Sequence, residues 1–289
     1  MSNTKIWLFL LIALFSISSS SILVRYLNNI EAVPIAFARM AIAGLILWTF
    51  SIFQPQGNIK LKYKLLTILS GSFLGIHFAF FFSAVKMTTL ANATLFGTLA
   101  PIFTVSINYI FFKIKINKNI IYGLILTVVG GLTMHGFDIE FKSVGFKGDI
   151  SAIICSFWMA LVLIITKYVR IEYGTVIYSR LLYTAASITL AIVILIFDIP
   201  VNKPSYDEII FLFLLGFIPN IFGHSILYYT IKFLPAHTVA SIPLGEPIIV
   251  SILGLILFNE ILPISVISGG IIILTGLYLI LKNSELSEG

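Results

Sequence analysis

SIPLGEPIIVSILGLILFNE, residues 241–260, is apolar for long enough to cross a bilayer, yet it carries Glu246 beside Pro247 in its first half. A carboxylate near mid-bilayer costs roughly 2.5–3.5 kcal/mol on insertion scales. Proline there removes a helix hydrogen bond and frees a carbonyl that needs another partner. Neither feature suits a helix that only anchors. Together they suggest a polar place, with room for a break in the helix, facing a cavity.

Composition extends this reading to the whole chain. Of 289 residues, 59% are hydrophobic and 10% charged, with a mean hydropathy of +1.07. Soluble domains carry about 25% charged residues, so lipid has to be the solvent for much of this surface. The net charge of +6 fits positive cytoplasmic loops and calls for no nucleic-acid partner. Cys155 is the single cysteine, which allows no internal disulfide and no multi-cysteine metal site. The first apolar run follows Lys5 and lacks an Ala-x-Ala-type cleavage site. It reads as a retained helix rather than a signal peptide.

Working outward from 241–260, ten apolar spans are expected: 6–24, 32–53, 65–85, 90–112, 119–137, 150–166, 173–197, 209–231, 236–258 and 262–281. Each can cross a core of about 30 Å at about 1.5 Å per residue. Ten spans put both termini on one side. With the N-terminus inside, the inner segments carry 11 Lys and Arg and the outer ones 5, while Arg39 and Arg180 fall within spans. That bias predicts cytoplasmic termini and a multi-pass protein of the cell (inner) membrane.

Markers also recur along the chain. Ile30-Glu31 with Arg39 returns as Ile171-Glu172 with Arg180, an offset of 141. Pro101, Gly123 and Gly130 return as Pro247, Gly269 and Gly276, an offset of 146 shared by Lys86 and Lys232. Residues 1–137 and 138–289 therefore read as two copies of a five-helix unit. Five is odd, so the copies lie in opposite orientation, an arrangement that transporters use for a site between inverted halves.

The duplicated unit, the Arg in spans 2 and 7, LFGTLAPIF beside SIPLGEPII, the ending ILFNE and GGIIILTG together resemble the EamA-type drug/metabolite transporter superfamily over essentially the whole chain. The resemblance implies an all-α integral membrane fold of ten transmembrane helices, cytoplasmic termini, and a central cavity walled by helices 1, 3, 4, 6, 8 and 9. It matches Glu246-Pro247 and Glu260 to the family's two acidic positions. The first copy departs, with Ala100 where Glu246 would be and Lys115 roughly where the second acid is usual.

Several residues are candidates for chemistry. Glu246, about 15 Å deep, is either a proton-coupling or substrate-amine site, or a carboxylate locked to an Arg or to backbone amides. Arg39 and Arg180, about 10 Å from the interface, read as structural clamps, with a substrate carboxylate or phosphate as the alternative role. His77 and His224 fall on cavity-lining helices by the resemblance. They read as polar cavity contacts or satisfied packing residues, with no ligand spacing for a metal. His135 and His237 lie near span ends and read as interfacial. Trp158, central in span 6, and Tyr228 are cavity-wall candidates, with core packing as the alternative. Asn92 and Asn220 are candidate border residues, and Pro101 and Pro247 candidate hinges. The serines at 18–21 either let helices approach closely or line the cavity.

There is no P-loop, no His-Glu-x-x-His motif and no nucleophile–base pair. No cofactor and no enzyme activity are called for. The expectation is a secondary transporter of a small organic metabolite, exporting amino acids or related compounds by alternating access, with protons as a coupling-ion candidate. Uptake of a scavenged metabolite, and a non-transporting scaffold or membrane enzyme, are the other readings.

Overall fold

The computed structural model describes residues 3–135, 144–259 and 263–284, and every regular element among them is helical. In chain order these are α1 (Asn3–Val24), α2 (Ala32–Phe53), α3 (Leu61–Met87), α4 (Leu90–Gly97), α5 (Ala100–Phe112), α6 (Lys118–His135) and α7 (Val144–Glu172). There follow α8 (Thr175–Ile196), α9 (Tyr206–Phe217), a π-helical segment (Ile218–His224), α10 (Ser225–Thr230), α11 (Ala236–Ser241), a 3-10 turn (Ile242–Gly245), α12 (Glu246–Phe258) and α13 (Ile264–Lys282). Nine helical stretches among the described residues are long and apolar enough to cross a membrane, and Lys118–Met134 is a shorter apolar helix. Leu195, Phe197, Phe53, Phe111 and Ile256 stand exposed on the outer faces, as lipid contact requires.

Three of the spans are interrupted, each at a proline. Pro101 and Pro247 sit in the first turn of α5 and α12, where a missing N–H costs nothing. The groups freed by each break find local partners. Between α4 and α5, the Ser156 hydroxyl of α7 donates to Phe96 O at 2.6 Å and accepts from Leu99 N–H at 3.1 Å. Thr98 Oγ1 donates to Thr94 O and Leu95 O. Before α12, Glu246 N–H reaches Pro243 O, and Ser241 Oγ donates to His237 O. At Pro219 the chain widens into the π segment, where Ser225 N–H bonds to Asn220 O five residues back. Such insertions re-aim side chains inside a helix, and here they turn Asn220 and His224 inward.

Small residues set the closest helix approaches. On α6 and α13, a Cβ built on Gly123 would lie 2.6 Å from Gly276 O, and one on Gly130 2.7 Å from Gly269 O. The partner number falls as the first rises, so the two helices run antiparallel with their backbones in contact. Gly71 and Gly75 bring α3 equally close to Leu182 O and Ala186 O of α8.

One end of the bundle is laced shut. Lys86 Nζ donates to Leu27 O, Asn29 N–H to Glu208 Oε1, Asn202 Nδ2 to Asn29 O, and Thr88 Oγ1 to Asp149 Oδ1. The opposite end, where α1 begins and α13 stops, opens into a vestibule of about 840 Å³.

The Gly seam generates a stability prediction. Gly130→Val should cost about 1–3 kcal/mol by overpacking against Gly269 and Ile273. Gly174→Ala, with open space at that position, should cost less, about 1 kcal/mol or below for the weaker N-cap of α8. Thermal unfolding of the purified variants in detergent checks both, and equal midpoints would show that the seam is not packed as described.

Candidate functional site

The inner site is built around Arg39. It is 1% exposed, in the first half of α2. Nε donates to Asn220 Oδ1 at 2.7 Å and Nη1 to Ser20 Oγ at 2.6 Å, while Nη2 has no partner. The guanidinium carbon lies 4.2 Å from the centroid of the Phe78 ring, a cation–π contact. Asn220 is held in turn. Its Nδ2 donates to the Arg39 carbonyl at 3.1 Å, and Tyr183 Oη donates to the Asn220 carbonyl at 3.0 Å. The π segment, α1 and α2 thus converge on one guanidinium.

Arg39 lines a small inner cavity of about 60 Å³, room for a few waters. Glu246 lines it too, 6% exposed at the start of α12, with Oε1 accepting from Ser21 Oγ at 3.0 Å. His77 contributes from α3. Its Nδ1 lies 2.8 Å from Cys155 O. A carbonyl only accepts, so Nδ1 carries a proton, and the neutral ring offers Nε2 as an acceptor. His224 lines the cavity from the π segment and meets Phe78 edge-on, with ring centroids 5.4 Å apart. Apolar wall comes from Ile17, Phe81, Met159, Leu163, Leu227 and Val239.

The cavity therefore gathers Arg39, His77, His224 and Glu246 from the candidates read in the sequence. Its walls come from spans 1, 3, 4, 6, 8 and 9, as the resemblance implied, and also from span 2 through Arg39. Reading Arg39 and Arg180 as equivalent clamps at the periphery does not describe them. Arg180 lies over Trp48 at 4.4 Å, outside this cavity, whereas Asn220 and Ser20 turn Arg39 inward. The serines at 18–21 do more than allow close packing, because Ser20 and Ser21 hold the two charged groups.

Other candidates stand elsewhere. Trp158 packs on Phe73 and Phe157. Asn92 reaches Asp149 Oδ2 at 3.4 Å near the closed end. Tyr228 is fully buried behind the cavity, edge-on to Tyr178 and tilted to His224. Pro101 and Pro247 begin the helices that follow the two breaks, and Ala100, in Glu246's place in the first copy, also lines the cavity. His237 is not interfacial: it is buried and lines the vestibule. Glu260 and the His135 side chain lie outside the described residues. Sequence reasoning undervalued Asn220, whose signal was a polar amide directly after a mid-span proline.

Vestibule and cavity are in series. α3, α5, α7 and α11 line both: Lys62 and Leu66 then His77, Asn108 then Ala100, Lys167 then Met159, and His237 then Ala240.

Comparison with known proteins places this geometry in context. The EamA-like transporter family matches twice, at residues 4–134 and 146–282. A protein of Archaeoglobus fulgidus called an uncharacterized transporter is 23% identical over 287 residues, spanning 96% of this chain and 97% of that one. Another so called, from Methanothermobacter thermautotrophicus, is 22% identical over 219 residues, 71% of this chain and 60% of that one. A solved crystal structure of a protein 15% identical superposes with a TM-score of 0.77 over 96% of both chains, a likeness of fold alone.

The Arg39–Asn220 pairing gives a sharp expectation. Asn220→Ala removes a partner of a buried cation and of its carbonyl, which should cost about 1.5–3 kcal/mol. Asn92→Ala removes one long contact in a half-buried position and should cost about 0.5 kcal/mol or less. Unfolding in mixed micelles ranks the two, and the reverse order would refute the central role of Asn220.

Proposed function

The chain belongs to the EamA-like transporter family and is a multi-pass membrane transporter, and from that premise we propose that it is a secondary carrier exporting small zwitterionic metabolites, amino acids or close relatives. The observation that carries this reading is the unfilled polar capacity of the inner cavity. Arg39 Nη2 is a charged donor without a partner. Glu246 Oε2 and His77 Nε2 remain as acceptors once Ser21 and Cys155 are counted. A carboxylate on Arg39 and an ammonium between Glu246 and His77 would use all three, and the apolar wall would take an aliphatic or aromatic side chain once the cavity widens from its present few-water volume. Charge-assisted hydrogen bonds of this kind are stronger than neutral ones.

The proposed architecture is ten spans in two inverted copies, 1–137 and 138–289. The α6–α13 contacts support it. Adding 146 to Gly123 gives Gly269, and adding 146 to Gly130 gives Gly276, so exchanging the copies turns the Gly123–Gly276 contact into the Gly130–Gly269 contact. A two-fold axis through an antiparallel pair produces that relation, and it lies in the membrane plane when the helices stand across it. Rocking one copy against the other, with Pro101 and Pro247 as hinges, would exchange which end is open.

Export is the direction proposed, with both termini placed in the cytoplasm of an inner-membrane protein. The open vestibule then faces the cytoplasm, and substrate loads from there. Proton coupling belongs to the same proposal: Glu246 takes either a proton or the substrate's ammonium group, so an inward proton releases the outward cargo. No step draws on ATP.

Counterflow into proteoliposomes tests the reading. Vesicles loaded with pooled unlabelled amino acids should accumulate labelled leucine or phenylalanine and not the corresponding amines, which lack the carboxylate. Arg39→Gln and Glu246→Gln should each lower uptake by roughly ten-fold or more. Accumulation of no amino acid by folded protein would overturn the substrate class, and an unchanged response of Glu246→Gln to a pH gradient would remove the proton role.

A further inference from the structure

The vestibule has a chemistry unlike that of the inner cavity. Its volume, about 840 Å³, falls in the range of small-molecule sites. Lys62, Lys115 and Lys167 line it from three separate parts of the chain, and among the described residues no Asp or Glu lines it. The cations are not equally engaged. Lys167 Nζ is tied to Lys232 O and Leu234 O, and Lys62 Nζ donates to Tyr168 Oη at 2.7 Å. Lys115 is exposed on the segment between α5 and α6. His237, 7% exposed, adds a ring nitrogen, Nε2, without a hydrogen-bond partner.

The rest of the wall is apolar, with Leu66, Phe112, Ile114, Ile164 and Ile171 prominent. A concave surface with three cations, no carboxylate among the described residues and a long apolar flank suits an anion better than a cation. It complements a molecule with one anionic end and one greasy end. Such walls focus field lines and raise the local concentration of anions, and basic pockets among transmembrane helices take anionic headgroups.

We propose that the vestibule is a binding site in its own right for an anionic amphiphile, its carboxylate or phosphate head among Lys62, Lys115 and Lys167 and its apolar body along the isoleucine wall. The ligand occupies the mouth of the path to the inner cavity, so its presence governs entry. The same chemistry has two sources: a free amphiphilic anion from the aqueous side, or an anionic lipid whose headgroup enters from the adjacent leaflet. The inference does not depend on the transport reading, because the site is defined by binding and not by flux.

The test is thermal stabilisation of the delipidated full-length protein in neutral detergent. The added probes are decanoate, phosphatidylglycerol, phosphatidylcholine with the same tails, and inorganic phosphate. Decanoate and phosphatidylglycerol should raise the unfolding midpoint, phosphatidylcholine and phosphate should do so far less, and added salt should weaken the effect. Stabilisation by phosphatidylglycerol alone assigns the site to lipid, and stabilisation by decanoate alone assigns it to a soluble amphiphile.

The double variant Lys62→Gln/Lys115→Gln leaves the structural Lys167 in place. It should raise the half-saturating concentration roughly ten-fold or more. Lys60→Gln/Lys118→Gln removes the same charge from exposed positions that do not line the vestibule, and should leave that concentration unchanged. Equal effects of the two lipids, full retention of affinity in the vestibule variant, or equal loss in the control would overturn the proposal.

Discussion

A guanidinium held in the middle of a membrane protein constrains everything around it. An Arg at the centre of a span costs roughly 2.5–3.5 kcal/mol by insertion scales, and each hydrogen bond to a charged group returns about 1.5–3 kcal/mol. Two such bonds and a ring face are enough to hold Arg39 inside, provided that they arrive together. That requirement explains features that look unrelated along the chain. The π segment presents Asn220, α1 presents Ser20, and α3 presents Phe78 to one side chain of α2. Nη2 is then the one direction that the protein leaves open, and a cavity lies beside it.

Interrupted helices follow from the same economy of polar groups. Backbone N–H and C=O groups in a membrane need partners within the protein, so a break is tolerated only where side chains complete the bonding. Ser156 does this at the first break, accepting from Leu99 and donating to Phe96 across the gap. At the second break, the 3-10 turn before α12 keeps Glu246 N–H bonded to Pro243 O. Both breaks border the inner cavity through Thr98, Ala100, Pro243 and Glu246. The cavity exists because the helices that would fill it bend there.

Much of this was legible in the sequence. Unbroken apolar length located nearly every helix, and the Glu-Pro pair pointed to a polar break because charge and proline are both costly in lipid. The family's cavity walls were also anticipated. What sequence could not supply was direction around each helix. Arg39 and Arg180 have matching places in the two repeats, and only the tertiary partners Asn220 and Trp48 separate an inward side chain from one lying over a ring. Trp158 occupies the expected depth and packs on Phe73, because depth says nothing of facing. The π segment escaped for a related reason: a proline signals disruption without saying whether the helix will kink, stop or widen.

The two ends of the bundle are held by interactions of different kinds, and that difference bears on the proposed alternating access. The closed end rests on a few polar contacts at loops and helix ends: Lys86 to Leu27, Asn29 to Glu208, Asn202 to Asn29 and Thr88 to Asp149. Each is worth about 0.5–1.5 kcal/mol, rather more where a charge takes part, and water can replace every partner once the end opens. The α6–α13 and α3–α8 seams are backbone-to-backbone contacts over glycines, and no solvent substitutes for that packing. A motion that opened the laced end by separating loops while keeping the glycine seams intact would exchange weak, replaceable contacts and leave the strong ones alone. Hinges for such a motion would sit near the cavity, at the proline breaks. There the helices are already discontinuous, and the side-chain hydroxyls of Ser156, Thr98 and Ser241 satisfy backbone groups that an uninterrupted helix would hold rigid.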